Sequence, residues 1–331
     1  MLSLSFLFAT KIQKNVPRKA LLAGLRPSEK FLFVVISLFI LGLIFQFFGA
    51  FVAGWIYGYG FSEILSLGSF DDPNYVAASK LIQIIGSIGT FIIPAFLFSY
   101  LFEGDLFSYY RFRDPTGGWS LLLTILMIVS VIPFINYMAE INLRMKFPIR
   151  SVDQFLRLLE GEAEQVMRAF TATRSLWGLL VNLFMVGVIA AVGEELIFRG
   201  LLQRLLHGMV KNIHLAVLLT SILFSAFHFQ FFSFLPRFIL GVVLGYLMFY
   251  GRSIWYPILA HFVNNAMGVT YYYFNSRGSA DDMLEEIGTS TLMPMAALVS
   301  LLLFVFFGIL WFYQTRANAS QSPPYGRTEK Y

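Results

Sequence analysis

The sequence predicts an all-α, polytopic transmembrane helix bundle of about eight spans, and three observations predict it. Hydrophobic residues make up 57% of the chain, charged residues only 13%, and 37 of the 331 residues are phenylalanine, which leaves too little polar surface for a soluble fold of this size. Apolar runs near twenty residues recur, each long enough to cross about 30 Å of hydrocarbon at 1.5 Å per helical residue. Runs of that length satisfy their backbone as helices, whereas barrel strands alternate over about ten residues.

The expected spans cover 31–53, 79–102, 117–139, 175–195, 213–232, 235–251, 255–275 and 292–313. The opening "MLSLSFLFATKIQK" is apolar before it is basic, the reverse of a cleavable signal peptide, so the N-terminus is expected to remain. Lys11, Lys14, Arg18, Lys19, Arg26 and Lys30 mark that tail as cytoplasmic under the positive-inside bias. Counting spans from there puts Arg111 and Arg113, Arg204 and Lys211, Arg252, and the tail with Arg316, Arg327 and Lys330 on the same side. The acidic loops around Asp71 and Asp72, and around Asp281, Asp282, Glu285 and Glu286, fall opposite. Loop 140–174 resists this scheme, with six basic residues on the outer side. Within it, Phe155, Leu158, Leu159, Val166 and Phe170 share a helical face, which predicts an interfacial amphipathic helix near 152–170.

The pI of about 9.3 follows from the same bias, and nothing points to a nucleic-acid partner. The chain has no cysteine, which excludes disulfides, thiolate metal sites, a cysteine nucleophile and a lipidated cysteine on this chain. No internal repeat is evident. The expected organisation is a basic cytoplasmic segment (1–30), N-terminal transmembrane helices with the amphipathic loop helix (31–174), a catalytic core (175–275), a last loop and final span (276–313), and a disordered tail (314–331).

An ionisable group inside a span costs on the order of 3 kcal/mol and is a functional hypothesis by default. Such groups gather in the second half: Glu194, Glu195 and Arg199 in "EELIFR", His228 in "FSAFHF", and His261, Asn264 and Asn265 in "HFVNNAMG". Glu195 and Arg199 are four residues apart and can neutralise each other on one face. Glu194 points about 100° away and must meet a donor from another helix, for which His228 is the candidate, or take up a proton. His261 and Asn265 lie one turn apart and can converge on one oxygen. A carboxylate paired with histidine can take a proton from water and return it to a leaving amine, while a His/Asn pair can steady an oxyanion, so peptide hydrolysis needs no serine or cysteine here.

"EELIFR" fits EExxxR, "FSAFH" fits FxxxH and "HFVNN" fits HxxxN, in the order found in the CPBP family, also called Abi, of intramembrane CAAX-processing endopeptidases and bacteriocin-processing proteins. The chain resembles that family over roughly residues 175–275. The resemblance implies that Glu194 and His228 activate water, that His261 and Asn265 form the oxyanion site, and that Glu195 and Arg199 form a supporting ion pair. It implies a glutamate-dependent endopeptidase acting on a membrane-associated peptide or protein in the lipid bilayer. Apart from the resemblance, the expected location is a bacterial cytoplasmic membrane with both termini cytoplasmic, and the endoplasmic reticulum is the alternative for a eukaryotic chain.

Blander readings stand beside it. Each histidine or asparagine alone is more often interhelical glue, and His207 and His214 read as solvated loop histidines. "GVVLG" from Gly241 to Gly245 reads as close helix packing. A zinc-dependent protease would use Glu194, His228 and His261 as ligands, although no HExxH occurs in the chain. A proton-coupled transporter would show paired broken helices in two halves, which are not evident. A non-catalytic scaffold is the third alternative. The sequence assigns no oligomeric state.

Overall fold

The computed structural model describes residues 20–65, 70–104, 109–112, 117–275, 287–289 and 294–319. Lys11, Lys14, Arg18, Lys19, Arg113, Asp281, Asp282, Glu285, Glu286, Arg327 and Lys330 lie outside the described residues. Every regular element among the described residues is helical: α1 (Pro27–Tyr57), α2 (Phe61–Leu65), α3 (Pro73–Glu103), α4 (Gly118–Leu143), α5 (Arg150–Thr171), α6 (Leu176–Val210), α7 (Ile213–Ala226), α8 (Phe234–Gly251), α9 (Trp255–Asn275) and α10 (Pro294–Ala319).

Six are long and apolar enough to cross a membrane: α1, α3, α4, α6, α8 with the turn before it, and α10. The other two expected spans differ for different reasons. The 14 residues of α7 extend only about 21 Å. Helix α9 has 21 residues but carries His261, Asn264, Asn265 and four tyrosines.

Local signals set the helix ends. Pro27 and Pro73 occupy first turns, where a missing N–H costs nothing, and Asp72 caps α3 by accepting the Asn74 N–H at 2.9 Å. Gly58 and Gly104 end α1 and α3 with φ of 78° and 77°, the left-handed conformation that glycine tolerates. Pro133 lies inside α4, and α10 repairs the backbone there. The Phe134 N–H donates to Ser300 Oγ at 3.1 Å, and that hydroxyl donates to the Ser130 carbonyl at 2.6 Å, replacing the direct helical bond.

One end of the bundle gathers the basic connections. The Arg111 carbonyl accepts the Ile254 N–H, Arg204 pairs with Glu103 at 2.6 Å, and Leu22 bonds Leu101. Lys211 and Arg252 take left-handed conformations in the turns after α6 and α8 at that end. At the other end α5 forms a true helix over the predicted amphipathic segment, with Phe155 and Leu158 each 58% exposed and Leu156 buried. Helix α10 runs to Ala319, six residues into the segment expected as a tail.

Two boundaries change the geometry of the core. The run expected to end at 195 continues to Val210, so α6 has 35 residues and Glu194 lies near its middle, about 24 Å from the Val210 end. The run expected to continue to 232 stops at Ala226, and His228 follows in a turn. His207 is therefore helical, and His214 in the first turn of α7 meets the Tyr246 hydroxyl at 2.9 Å.

Candidate active site

Glu194 sits about 24 Å from the α6 end at Val210, and His228 lies about 22 Å along the chain from the start of α7. Helix α7 runs back along α6 after a tight turn, so equal arcs bring the two side chains level. Helix α8 then returns parallel to α6. Arg199 Nη2 donates to the Gly241 carbonyl and Gln203 Nε2 to the Gly245 carbonyl, each at 3.2 Å and each across 42 residues. The α7–α8 hairpin thus covers one half of α6, and its turn ends at the level of the glutamates.

Helix packing permits this close register through small residues. A Cβ on Gly241 would meet Ser221, backbone included, at 3.0–3.2 Å, and one on Gly245 would lie 2.8 Å from Val217. The small-residue spacing from Gly241 to Gly245 therefore does hold helices in contact.

Irregular backbone at membrane depth must be bonded by the protein, and the turn after His228 is. Asn142 of α4 donates to the Phe231 carbonyl at 3.0 Å and accepts the Leu235 N–H at 2.6 Å. Glu160 of α5 accepts the Phe232 N–H at 3.0 Å and the Ser233 hydroxyl. Ser225 donates to the Phe234 carbonyl at 2.7 Å. Phe229, next to His228, takes φ of 55°, a costly conformation for a bulky residue, sustained by these surrounding bonds.

The predicted supporting pair is more connected than its spacing suggests. Arg199 Nη1 donates to Glu195 Oε1 at 2.6 Å with both side chains 0% exposed, so neither charge has water to fall back on. The same Oε1 accepts from His261 Nδ1 at 2.8 Å. The Arg199 guanidinium also lies 4.4 Å from the Phe224 ring centroid. Glu195 therefore fixes His261 as well as Arg199.

Both histidines have a defined proton arrangement. A carboxylate and a carbonyl can only accept, so Nδ1 of His261 donates to Glu195 and Nδ1 of His228 donates to the Phe224 carbonyl at 2.8 Å. In the neutral imidazoles Nε2 is then a bare acceptor. Each Nε2 lies 3.9 Å from Glu194 Oε2, a buried oxygen with no hydrogen-bond partner of its own. Phe224 meets both imidazoles edge-on, with ring centroids 5.2 Å from His228 and 5.7 Å from His261.

Asn265 donates to the Val186 carbonyl at 2.9 Å and accepts from Asn264 at 3.2 Å, which leaves one amide hydrogen unassigned. Val186 belongs to a π-helical stretch, Leu183–Ile189, and a second, Leu196–Leu202, follows the glutamates. Wider turns of this kind misalign backbone bonds and expose carbonyls, and they occur often at functional sites. The structure thus brings Glu194, Glu195, Arg199, His228 and His261 together, with Asn265 anchored one turn beyond His261.

Two neighbours escaped the sequence reading. Phe224 was visible only as the first letter of FxxxH, and its carbonyl and ring orient both histidines. Arg237 falls two residues inside the expected 235–251 span, where it resembles an edge residue. It lies instead beside the site.

The spacing of the donors bears on whether a metal or a water fits between them. A tetrahedral zinc with bonds of about 2.1 Å would hold its ligands about 3.4 Å apart. A water hydrogen-bonded at about 2.8 Å with tetrahedral angles would hold its partners about 4.6 Å apart. The observed 3.9 Å separations lie between these. Among the described residues no group of three or more His, Cys, Asp or Glu side chains forms a metal-holding cluster.

Apolar helices of this length, enclosing a carboxylate–imidazole cluster, define an integral, multi-pass membrane protein. Residues 176–267 match the family described as type II CAAX prenyl endopeptidase Rce1-like, the stretch that carries every residue of the cluster. Over those residues the chain is similar to that family, a similarity consistent with the CPBP family and with an intramembrane protease. No curated protein and no solved structure gives a significant match to the chain.

Proposed function

We propose that the protein is a glutamate-dependent endopeptidase that cleaves a membrane-associated peptide or protein with activated water. One observation carries this reading: Glu194 Oε2, unpartnered near the middle of α6, lies 3.9 Å from the bare Nε2 atoms of His228 and His261. A water between them donates one hydrogen to Glu194 and the other to His228 Nε2, which turns its lone pair toward a substrate carbonyl. As that lone pair attacks, the Glu194 carboxylate or His228 takes the proton. The new C–O bond forms, the carbonyl becomes an oxyanion, and the same proton passes to the leaving nitrogen as the C–N bond breaks.

The oxyanion is met by the remaining amide hydrogen of Asn265 and, when doubly protonated, by Nε2 of His261. Glu195 and Arg199 hold His261 in place and are supporting residues. In this reading residues 175–275 are the catalytic core, the helices over 31–174 enclose it, the bilayer is bacterial and both termini face the cytoplasm. A zinc-dependent form of the same reaction is the second reading, favoured by two Nε2 lone pairs facing one carboxylate oxygen. Metal content of the purified protein separates the two.

The test compares protein termini in membranes of cells making the wild type with those making Glu194→Gln at equal folded abundance. New termini are expected only with the wild type. Identical termini in both would overturn the proposal.

A further inference from the structure

The register of α8 against α6 fixes the depth of one more charge. The 42-residue offset that pairs Arg199 with Gly241 and Gln203 with Gly245, carried back one turn, sets Arg237 level with Glu195. A guanidinium at that depth is expensive, and such groups face a cavity or a partner inside the protein. The partner here is neutral. Arg237 donates to Gln230 Oε1 at 2.5 Å and, more loosely, to the Gln230 carbonyl at 3.5 Å.

Two carboxylates are near enough for their charges to be felt, Glu160 and Glu194, yet neither forms an ion pair with Arg237 among the described residues. Glu160 gives both oxygens to Phe232 and Ser233, and Glu194 turns to the imidazoles. The charge of Arg237 also reaches His228 itself. Arg237 is partly exposed rather than sealed, unlike Arg199. A cation held ready by a neutral amide, accessible, and next to the water-activating pair matches an anionic group delivered with the substrate.

The matched family acts on CAAX ends, and a CAAX box lies at the chain terminus, so its free α-carboxylate falls within a few residues of the cut bond. Three extended residues reach about 10 Å. We propose that Arg237 binds the free α-carboxylate of the peptide substrate, displacing Gln230 and setting the distance from the chain end to the cleaved bond. This rests on the protease reading above. A guanidinium binds a carboxylate with two parallel N–H···O bonds, which an amide terminus cannot reproduce.

The experiment uses the full chain in nanodiscs and two prenylated CAAX-terminated peptides that differ only in a free-acid or an amidated C-terminus. Cleavage is measured for the wild type, Arg237→Gln and Arg237→Lys, and binding of both peptides is measured on Glu194→Gln with Arg237 intact or replaced by Gln. The wild type is expected to prefer the free acid by about tenfold to a hundredfold, the range of a charge-assisted bond. Arg237→Gln brings that ratio to about one, and Arg237→Lys restores part of it. An acid preference that survives Arg237→Gln overturns the assignment, as does a binding preference for anionic over neutral lipid that depends on Arg237 while the peptide ratio does not. If no peptide is cleaved but Glu194→Gln binds the acid better in an Arg237-dependent way, the carboxylate site stands and the protease reading falls. If the two peptides bind alike, the carboxylate site falls.

Discussion

Helices α1 and α6 are both long and apolar enough to cross the membrane, but they solve different problems. In the most apolar stretch of α1 only 11% of residues are buried within the protein, and Phe39, Phe51 and Trp55 are 65%, 66% and 82% exposed. In α6 every residue from Glu195 to Gln203 is buried, including Glu195, Arg199 and Gln203. The first helix obtains its stability from lipid, which is indifferent to the details of side-chain shape. The second depends on specific polar partners, because an unpaired charge has no solvent there. Sequence change should accordingly be tolerated in α1 and punished in α6.

The sharpest test of that contrast is the sealed ion pair. Glu195→Gln or Arg199→Met leaves one buried charge without its partner and should cost about 3–5 kcal/mol of stability. Thermal unfolding in detergent reads this directly, and a loss below 1 kcal/mol would mean that water reaches the pair. A smaller effect follows from shape. A Cβ at Gly200 would lie 2.4 Å from the Tyr110 ring, which is fully buried and tied to the Ala95 carbonyl through its hydroxyl. Gly200→Ala should therefore cost about 1–3 kcal/mol, whereas Phe39→Ala on the exposed face of α1 should stay within about 0.5 kcal/mol. Equal losses in the two variants would break the comparison.

The smallest effect lies outside the membrane, where Tyr59 donates to Asp72 at 2.5 Å. That bond, with help from the Asn74 N–H, holds the Asp72 carboxyl below its usual range, and the same bond is the main cause pushing the Tyr59 phenol up to about 12. The depressed carboxyl contributes stability above about pH 4 that is lost as pH falls. The raised phenol contributes below about pH 10 and loses its share as pH climbs toward 12. The melting difference between wild type and Tyr59→Phe should hence be widest between these limits and narrow at both ends. A difference constant with pH would show that the hydroxyl acts only by packing.

The same contrast explains how much could be read from sequence. Long apolar runs declare themselves, so the helical class and most spans were legible, and three short motifs named the clustered residues. The end of α6 was hidden because Glu194, Glu195, Arg199, Gln203 and Arg204 resemble a span terminus in composition. Only their partners, among them Gly241, Gly245 and Glu103, make the polar continuation affordable, and those lie far along the chain. The turn at His228 was hidden for the same reason. Its backbone is satisfied by Asn142 and Glu160 from α4 and α5, a dependence that no local pattern records.

The most direct test of the central claim is a single turnover of a prenylated CAAX-terminated peptide by the purified full chain in water labelled with oxygen-18. In the proposed mechanism water activated by Glu194 and His228 attacks the carbonyl itself, which predicts one labelled oxygen in the new peptide carboxylate, none in the protein, and no product from Glu194→Gln. Label in the Glu194 carboxylate, with an unlabelled product, would instead make Glu194 the nucleophile and contradict the account.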